Sequence, residues 1–63
     1  SLLSAVNLLP PKYRTVIYLY YYEGYRQREI AGLLGIPEET VRTRLARARD
    51  KLKHILSEVP QYA

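Results

Sequence analysis

The sequence predicts an all-α domain of four helices that contains a helix-turn-helix motif. Three observations predict it: apolar residues recur every three or four positions, prolines and glycines separate these periodic segments, and one glycine joins the last two segments through a short turn. Helices joined so closely do not readily lie antiparallel, so we expect the last two to cross sharply. A chain of 63 residues is expected to form one domain, residues 1–63, with a thin core.

The first helix is predicted from Leu2 to Leu8, where leucine, alanine and valine follow helical spacing. It ends before Pro10 and Pro11, because a residue that precedes proline is disfavoured in the α conformation. The same two prolines suit the start of the next helix, since proline fits a first helical turn.

The second helix, predicted from Lys12 to Glu23, contains opposing signals. Its tyrosines and β-branched residues favour a strand, whereas its apolar spacing favours a helix that is ended by a left-handed Gly24. A single strand would have no partner in this chain, so we predict a helix. Its core-facing residues are then Tyr13, Val16, Ile17, Tyr20 and Tyr21.

The chain contains seven tyrosines, and these rings could serve either a core or a base-stacking platform. Stacking platforms need exposed rings on a sheet or in an open groove, and helical core spacing therefore favours packing. Tyr18, Tyr22 and Tyr25 fall outside the core stripe and are expected at its rim.

The third helix is predicted from Arg26 to Leu34 and lacks a favoured capping side chain at its start. Gly35 is expected to end it in the left-handed conformation. The apolar face of this helix is predicted to comprise Ile30, Ala31, Leu33 and Leu34.

The fourth helix is predicted from Glu38 to Ser57, after Pro37. Pro60 would stop any continuation, and residues 61–63 are expected to form a frayed tail. Its inward stripe is predicted to comprise Val41, Leu45, Ala48 and Leu52.

The net charge of +4 is concentrated on this fourth helix, which carries six basic residues between Glu38 and His54. Such a helix attracts phosphate backbones, anionic lipids or acidic proteins, and an isolated charged face is most often simply solvated. The preceding turn motif favours DNA. Side chains suited to base edges are Glu39, Thr40, Arg42, Thr43, Ala46 and Arg47, and those suited to phosphates are Arg26, Arg28, Arg44 and Arg49.

Several other classes of function are not expected from this composition. The chain has no cysteine and one histidine, so we expect neither a metal site nor a cofactor. It contains no paired carboxylates, no nucleophile with an adjacent base and no phosphate-cradling loop, so we do not expect an enzyme or a small-molecule substrate. With no apolar run of 18 residues, we expect no membrane span and a cytoplasmic protein.

The segment from Leu9 to Leu52 resembles region four of bacterial sigma factors, particularly the extracytoplasmic-function type. The resemblance rests on Leu9-Pro10-Pro11 with Tyr13-Arg14, on Tyr22-Glu23-Gly24, on Glu29-Ile30-Ala31, on Leu34-Gly35-Ile36-Pro37, and on Thr40-Val41-Arg42 with Arg44-Leu45 and Arg47-Ala48-Arg49.

This resemblance implies a four-helix domain that binds the minus-thirty-five promoter element and contacts the β flap of RNA polymerase. It also implies that an anti-sigma factor can mask the domain. The DNA-reading positions of the family fall here on Arg42, Thr43, Arg44 and Arg47, supported by Gln27, Arg28, Glu39 and Thr40.

The sequence departs from the family pattern at two positions. Arg26 stands where the family commonly has Ser or Thr, and Glu39 stands where it has a small residue. Glu39 places a negative charge at the helix tip, where it either selects cytosine or weakens DNA binding.

Two other interpretations fit parts of the sequence. One is a helix-turn-helix output domain of the response-regulator type, and the other is a protein-interaction module that docks through its tyrosine-rich helix. Because the first residue is Ser rather than Met, we expect the chain to be the C-terminal piece of a longer protein.

Overall fold

A computed structural model describes residues 2–58, and this part of the chain is helical without strands. Every predicted helix end lies within one residue of its observed position, while the predicted stop at Pro60 and the predicted tail fall outside the described residues. The helices are α1 (Leu2–Asn7), α2 (Pro11–Ile17, which continues as a π-helical turn over Tyr18–Tyr22), α3 (Gln27–Leu34) and α4 (Glu38–Glu58).

The core forms where α1, α2 and α3 pack against the long helix α4. Four of its side chains, Val16, Ile30, Val41 and Leu45, have no exposed surface, and no polar side chain of residues 2–58 is buried with them. Burial of each such side chain contributes about 1.5–3 kcal/mol, so this small cluster is the main source of stability. No helix within residues 2–58 combines the length and the apolar character needed to cross a membrane.

The π-helical turn at the end of α2 changes which tyrosines reach the core. The N–H of Glu23 donates to the carbonyl of Tyr18, five residues back, at 3.0 Å. Such a turn is wider than an α-helical turn and rotates the side chains that follow it. Tyr20 is therefore half-buried, and Tyr21 is 53% exposed, so the prediction that Tyr21 faces the core is wrong. Tyr18, Tyr22 and Tyr25 are exposed, as predicted.

Helix α3 buries a narrower face than its sequence predicts. Ile30 is fully buried, and Ala31 and Leu34 are half-buried, but Leu33 is 59% exposed. Successive helical residues are rotated by about 100°, which places Leu33 to one side of the stripe that contains Ile30 and Leu34. The assignment of Leu33 to the apolar face is therefore wrong.

The turn between α3 and α4 confirms the predicted helix-turn-helix motif. Gly35 adopts φ 67° and ψ 35°, the left-handed conformation, and its N–H donates to the carbonyl of Ala31. The N–H of Ile36 donates to the same carbonyl at 3.1 Å. The carbonyl of Pro37 then accepts the N–H groups of Thr40 and Val41 at 3.0 and 3.2 Å, which starts α4 in a new direction.

Candidate nucleic-acid interface

Helix α4 is anchored along one face and exposed along the other. Val41, Leu45 and Ala48 have no exposed surface, because they lie at the four- and three-residue spacing that keeps side chains on one helical face. Thr43 and Arg47 lie on the opposite face and are exposed. The amino-terminal half of α4 therefore presents polar and basic side chains on a rigid apolar support.

A concavity of about 460 Å³ lies between the amino-terminal half of α4 and the start of α2, and we call it the recognition cleft. It brings together five of the residues predicted to contact DNA: Glu39, Thr40, Thr43, Arg44 and Arg47. Its remaining lining residues are Lys12, Tyr13 and Pro37. Sequence reasoning did not assign Lys12 or Tyr13 to the site, because they lie about thirty positions away from α4 in the chain.

A second concavity, of about 350 Å³, lies at the amino terminus of α3 and is called here the α3 pocket. It brings together the predicted residues Arg26, Gln27 and Arg28 with Tyr20 and Glu38. The π-helical turn directs the half-buried Tyr20 towards this pocket, although its spacing assigned it to the core. Backbone N–H groups at a helix amino terminus and nearby arginines are suited to phosphate oxygens.

The first turn of α3 is stabilised by Glu29. Its Oε1 accepts the backbone N–H of Arg26 at 2.8 Å, which is one half of a capping box. The guanidinium of Arg26 has no acceptor atom and cannot supply the other half, so no side chain caps the helix from that position. The arginine that replaces a capping residue is thus left to face the α3 pocket.

Arg42 lies on the flank of α4 that faces away from the recognition cleft. Its Nη2 is 3.9 Å from Oε1 of Glu38, and the two side chains are 60% and 47% exposed. Exposed pairs four residues apart contribute only about 0.3–0.5 kcal/mol, so this ion pair does not prevent Arg42 from turning to a DNA ligand.

The structure places Arg49 apart from the other predicted DNA contacts. Its Nε donates to the hydroxyl oxygen of Tyr21 at 2.6 Å, and its Cζ is 5.7 Å from the centre of the Tyr21 ring. Arg49 therefore connects α4 to the π-helical turn. Its predicted contact with phosphate remains a prediction.

Arg49 also lies at the edge of an open, almost entirely apolar concavity of about 500 Å³, the apolar groove. This groove runs between α1, the end of α2 and the carboxyl-terminal half of α4. It is lined by Leu2, Val6, Ile17, Tyr21, Tyr22, Arg49, Leu52, Lys53 and Leu56. An apolar surface with a basic rim is typical of a protein contact.

Comparison with known proteins identifies the family. The model of the family described as "Sigma-70, region 4" matches residues 1–52. Similar proteins include the probable RNA polymerase sigma factor RfaY of Xanthomonas campestris, which is 41% identical over 86% of this chain, and the extracytoplasmic-function sigma factor SigW of Bacillus subtilis, 45% identical over 81%. The extracytoplasmic-function sigma factor SigE of Mycolicibacterium smegmatis is 37% identical over 90% of this chain.

The chain spans only 14%, 27% and 22% of the lengths of these three relatives. The matched residues include the whole helix-turn-helix motif and all ten of the predicted DNA contacts. The helix-turn-helix motif is thus of the sigma-factor type rather than the response-regulator type, and the chain belongs to the sigma-70 region 4 family.

Proposed function

We propose that this chain binds promoter DNA at the minus-thirty-five element as region four of a sigma factor, and so directs RNA polymerase to a transcription start. The observation that carries the proposal is the amino-terminal half of α4, where Thr43 and Arg47 stand exposed above the fully buried stripe of Val41 and Leu45. A helix in that attitude after a short turn fits the major groove, which is about 12 Å wide. Family membership supports the same proposal.

The chemistry of the recognition cleft suits the reading of base edges. Arg47 can donate two hydrogen bonds to guanine, the Thr43 methyl can contact the methyl of thymine, and Glu39 can accept a hydrogen bond from cytosine. Arg44 lies half-buried at the flank of α4, where it is better placed for a phosphate. Arg42 joins this set from the other flank of the helix.

The α3 pocket supplies the phosphate contacts on the other side of α4. Arg26 and Arg28 are exposed there, beside the half-buried Gln27. Contacts of this kind fix the register of the recognition helix and carry no base information. We leave Arg49 out of the proposed interface because it is bonded to Tyr21.

The experiment is a selection from a randomised duplex library with the purified 63-residue chain. The winning duplex and a scrambled duplex of the same composition are then compared by fluorescence anisotropy at one fixed salt concentration. We expect the selected duplexes to share one motif and the chain to prefer it over the scrambled control. Random selected sequences with equal affinities for both duplexes would overturn the proposal, because charge alone would then explain binding.

The apolar groove is the surface that we propose for the β flap of RNA polymerase, again from family membership. Its apolar lining favours burial against an apolar segment, and Arg49 and Lys53 at the rim favour an acidic neighbour. An anti-sigma factor that covers this groove would compete with the polymerase.

Leu2→Asp tests this polymerase contact because Leu2 is 57% exposed and its substitution does not disturb the core. We expect the variant to lose binding to a purified flap fragment and to retain the wild-type affinity for the selected duplex. The matched control is Leu33→Asp, since Leu33 is equally exposed but lies outside the groove. Unchanged flap binding by Leu2→Asp would exclude the groove.

A further inference from the structure

Two lysines that belong to none of the predicted contacts lie beside the ring of Tyr13. The Nζ atom of Lys12 is 5.1 Å from the ring centre, and the Nζ atom of Lys51 is 5.4 Å from it. Both distances are within the range of a cation–π interaction. The Tyr13 ring is only 7% exposed and is part of the core, so it gives the two flexible side chains a fixed support.

Both lysines continue the basic face of α4 that borders the recognition cleft. Arg44, Arg47 and Lys51 lie at spacings of three and four residues and therefore on one face of the helix. Lys12 lines the recognition cleft together with Arg44 and Arg47, because α2 begins next to this face. Basic groups from two helices thus meet along one edge of the domain.

The position of Lys51 along α4 indicates the part of DNA that it would meet. Seven residues separate it from Arg44, which corresponds to about 10 Å along the helix axis. A helix that places its amino-terminal half in a groove about 12 Å wide brings side chains at that distance to the sugar-phosphate wall. Lys12 and Lys51 therefore lie beyond the base edges, at the level of the backbone.

No acidic side chain neutralises either lysine within residues 2–58, since the ion pairs there join Arg42 to Glu38 and His54 to Glu58. The two ammonium nitrogens are at most about 10.5 Å apart, the sum of their distances to the ring centre. Phosphates follow one another along a strand at about 3.4 Å of axial rise, so both ammonium groups can reach a single stretch of backbone.

We propose that Lys12 and Lys51, held against Tyr13, form a phosphate clamp that binds one DNA strand beside the recognition cleft. This inference rests on the proposed function and adds to it a contact from α2, outside the helix-turn-helix motif. The clamp strengthens binding to every sequence equally, because phosphates carry no base information. Holding both lysines in place before DNA arrives reduces the rotamer entropy that binding costs.

The test compares wild type with Lys12→Gln/Lys51→Gln on the selected and scrambled duplexes over a range of salt concentrations. We expect the double variant to lower the slope of log affinity against log salt by about 1.8, or about 0.9 for each phosphate that is no longer neutralised. The ratio of affinities for the two duplexes should not change. Lys53→Gln is the control, because Lys53 lies on the other flank of α4 and its substitution should leave the slope unaltered.

A second measurement locates the clamp on DNA. Each phosphate of the selected duplex is replaced in turn by an uncharged methylphosphonate. Wild type should lose affinity at one or two phosphates at which the double variant loses none. An unchanged slope for the double variant, an equal fall for Lys53→Gln, or identical methylphosphonate profiles would overturn the clamp.

These outcomes are separable from the fate of the proposed function. A wild-type chain that shows no preference for the selected duplex contradicts promoter recognition, whatever its salt slope. A wild-type chain that prefers this duplex, together with an unchanged slope in the double variant, contradicts the clamp alone.

Discussion

Substitutions of two glycines in the helix-turn-helix motif should shift stability in opposite directions. Gly35 has φ 67°, and a Cβ atom built there has no neighbour within 4 Å, so Gly35→Ala introduces backbone strain without a steric clash. The left-handed conformation costs a residue with a Cβ roughly 1–2 kcal/mol. Lower entropy of the unfolded chain offsets about 0.4–1 kcal/mol of this strain, leaving a net loss of about 1 kcal/mol.

Gly32 is the matched control. It lies exposed within α3, without a positive φ, and its Cβ would also have no neighbour within 4 Å. Gly32→Ala should therefore stabilise the protein by about 0.5–1 kcal/mol, the usual gain when alanine replaces a helical glycine. The two variants add the same methyl group three positions apart, and only the backbone conformation differs.

The assay is thermal unfolding followed by far-ultraviolet circular dichroism. For a domain of this size, 1 kcal/mol corresponds to a shift in Tm of about 4–8 °C. We expect Gly35→Ala to unfold about 4–8 °C below wild type and Gly32→Ala to unfold above it. Gly35→Asn should fall between Gly35→Ala and wild type, because asparagine tolerates the left-handed conformation. If Gly35→Ala matches wild type, or if both alanine variants shift in the same direction, the proposed role of the turn is wrong.

Three further substitutions test the interface and its support. Arg47→Ala should weaken binding to the selected duplex by about 1–3 kcal/mol and binding to the scrambled duplex by less, and equal losses in a titration would show that Arg47 touches only phosphate. Arg44→Gln should reduce the salt slope by about 0.9, whereas Arg49→Gln, its control, should leave it unchanged because Arg49 is bonded to Tyr21; an equal fall for both would restore Arg49 to the interface. Glu29→Ala should lower stability by about 0.5–1 kcal/mol while Glu29→Gln retains most of it, since an amide oxygen can also accept the N–H of Arg26; urea unfolding in which the two variants behave alike would argue against the cap.

The helix boundaries were predictable because prolines and glycines act locally. Pro10 and Pro11 separate α1 from α2, and Gly24 and Gly35 end the next two helices in the left-handed conformation. Each of these residues restricts or frees its own backbone, so its effect can be recognised in a single sequence. The inward stripe of α4 was predictable for a similar reason, since its three- and four-residue spacing continues without interruption.

Two errors and one omission have other physical causes. The burial predicted for Tyr21 assumed α-helical geometry, and side-chain spacing does not reveal a change to π-helical hydrogen bonding. Leu33 was assigned to a face that has a neighbour along only part of its width. Lys12 reaches the recognition cleft through tertiary packing of α2 beside α4, which a one-dimensional pattern does not contain. The cap from Glu29 was available as a signal, because an acid three residues after the capping position is its usual mark.

The length of α4 has a mechanical consequence. Its 21 residues form one continuous helix of about 31 Å, with the DNA-facing side chains near one end and the wall of the apolar groove near the other. No proline or glycine interrupts it. A promoter and a polymerase bound at its two ends would be kept apart by a rod of fixed length, so the offset between DNA element and enzyme would be set by the count of residues in a single helix.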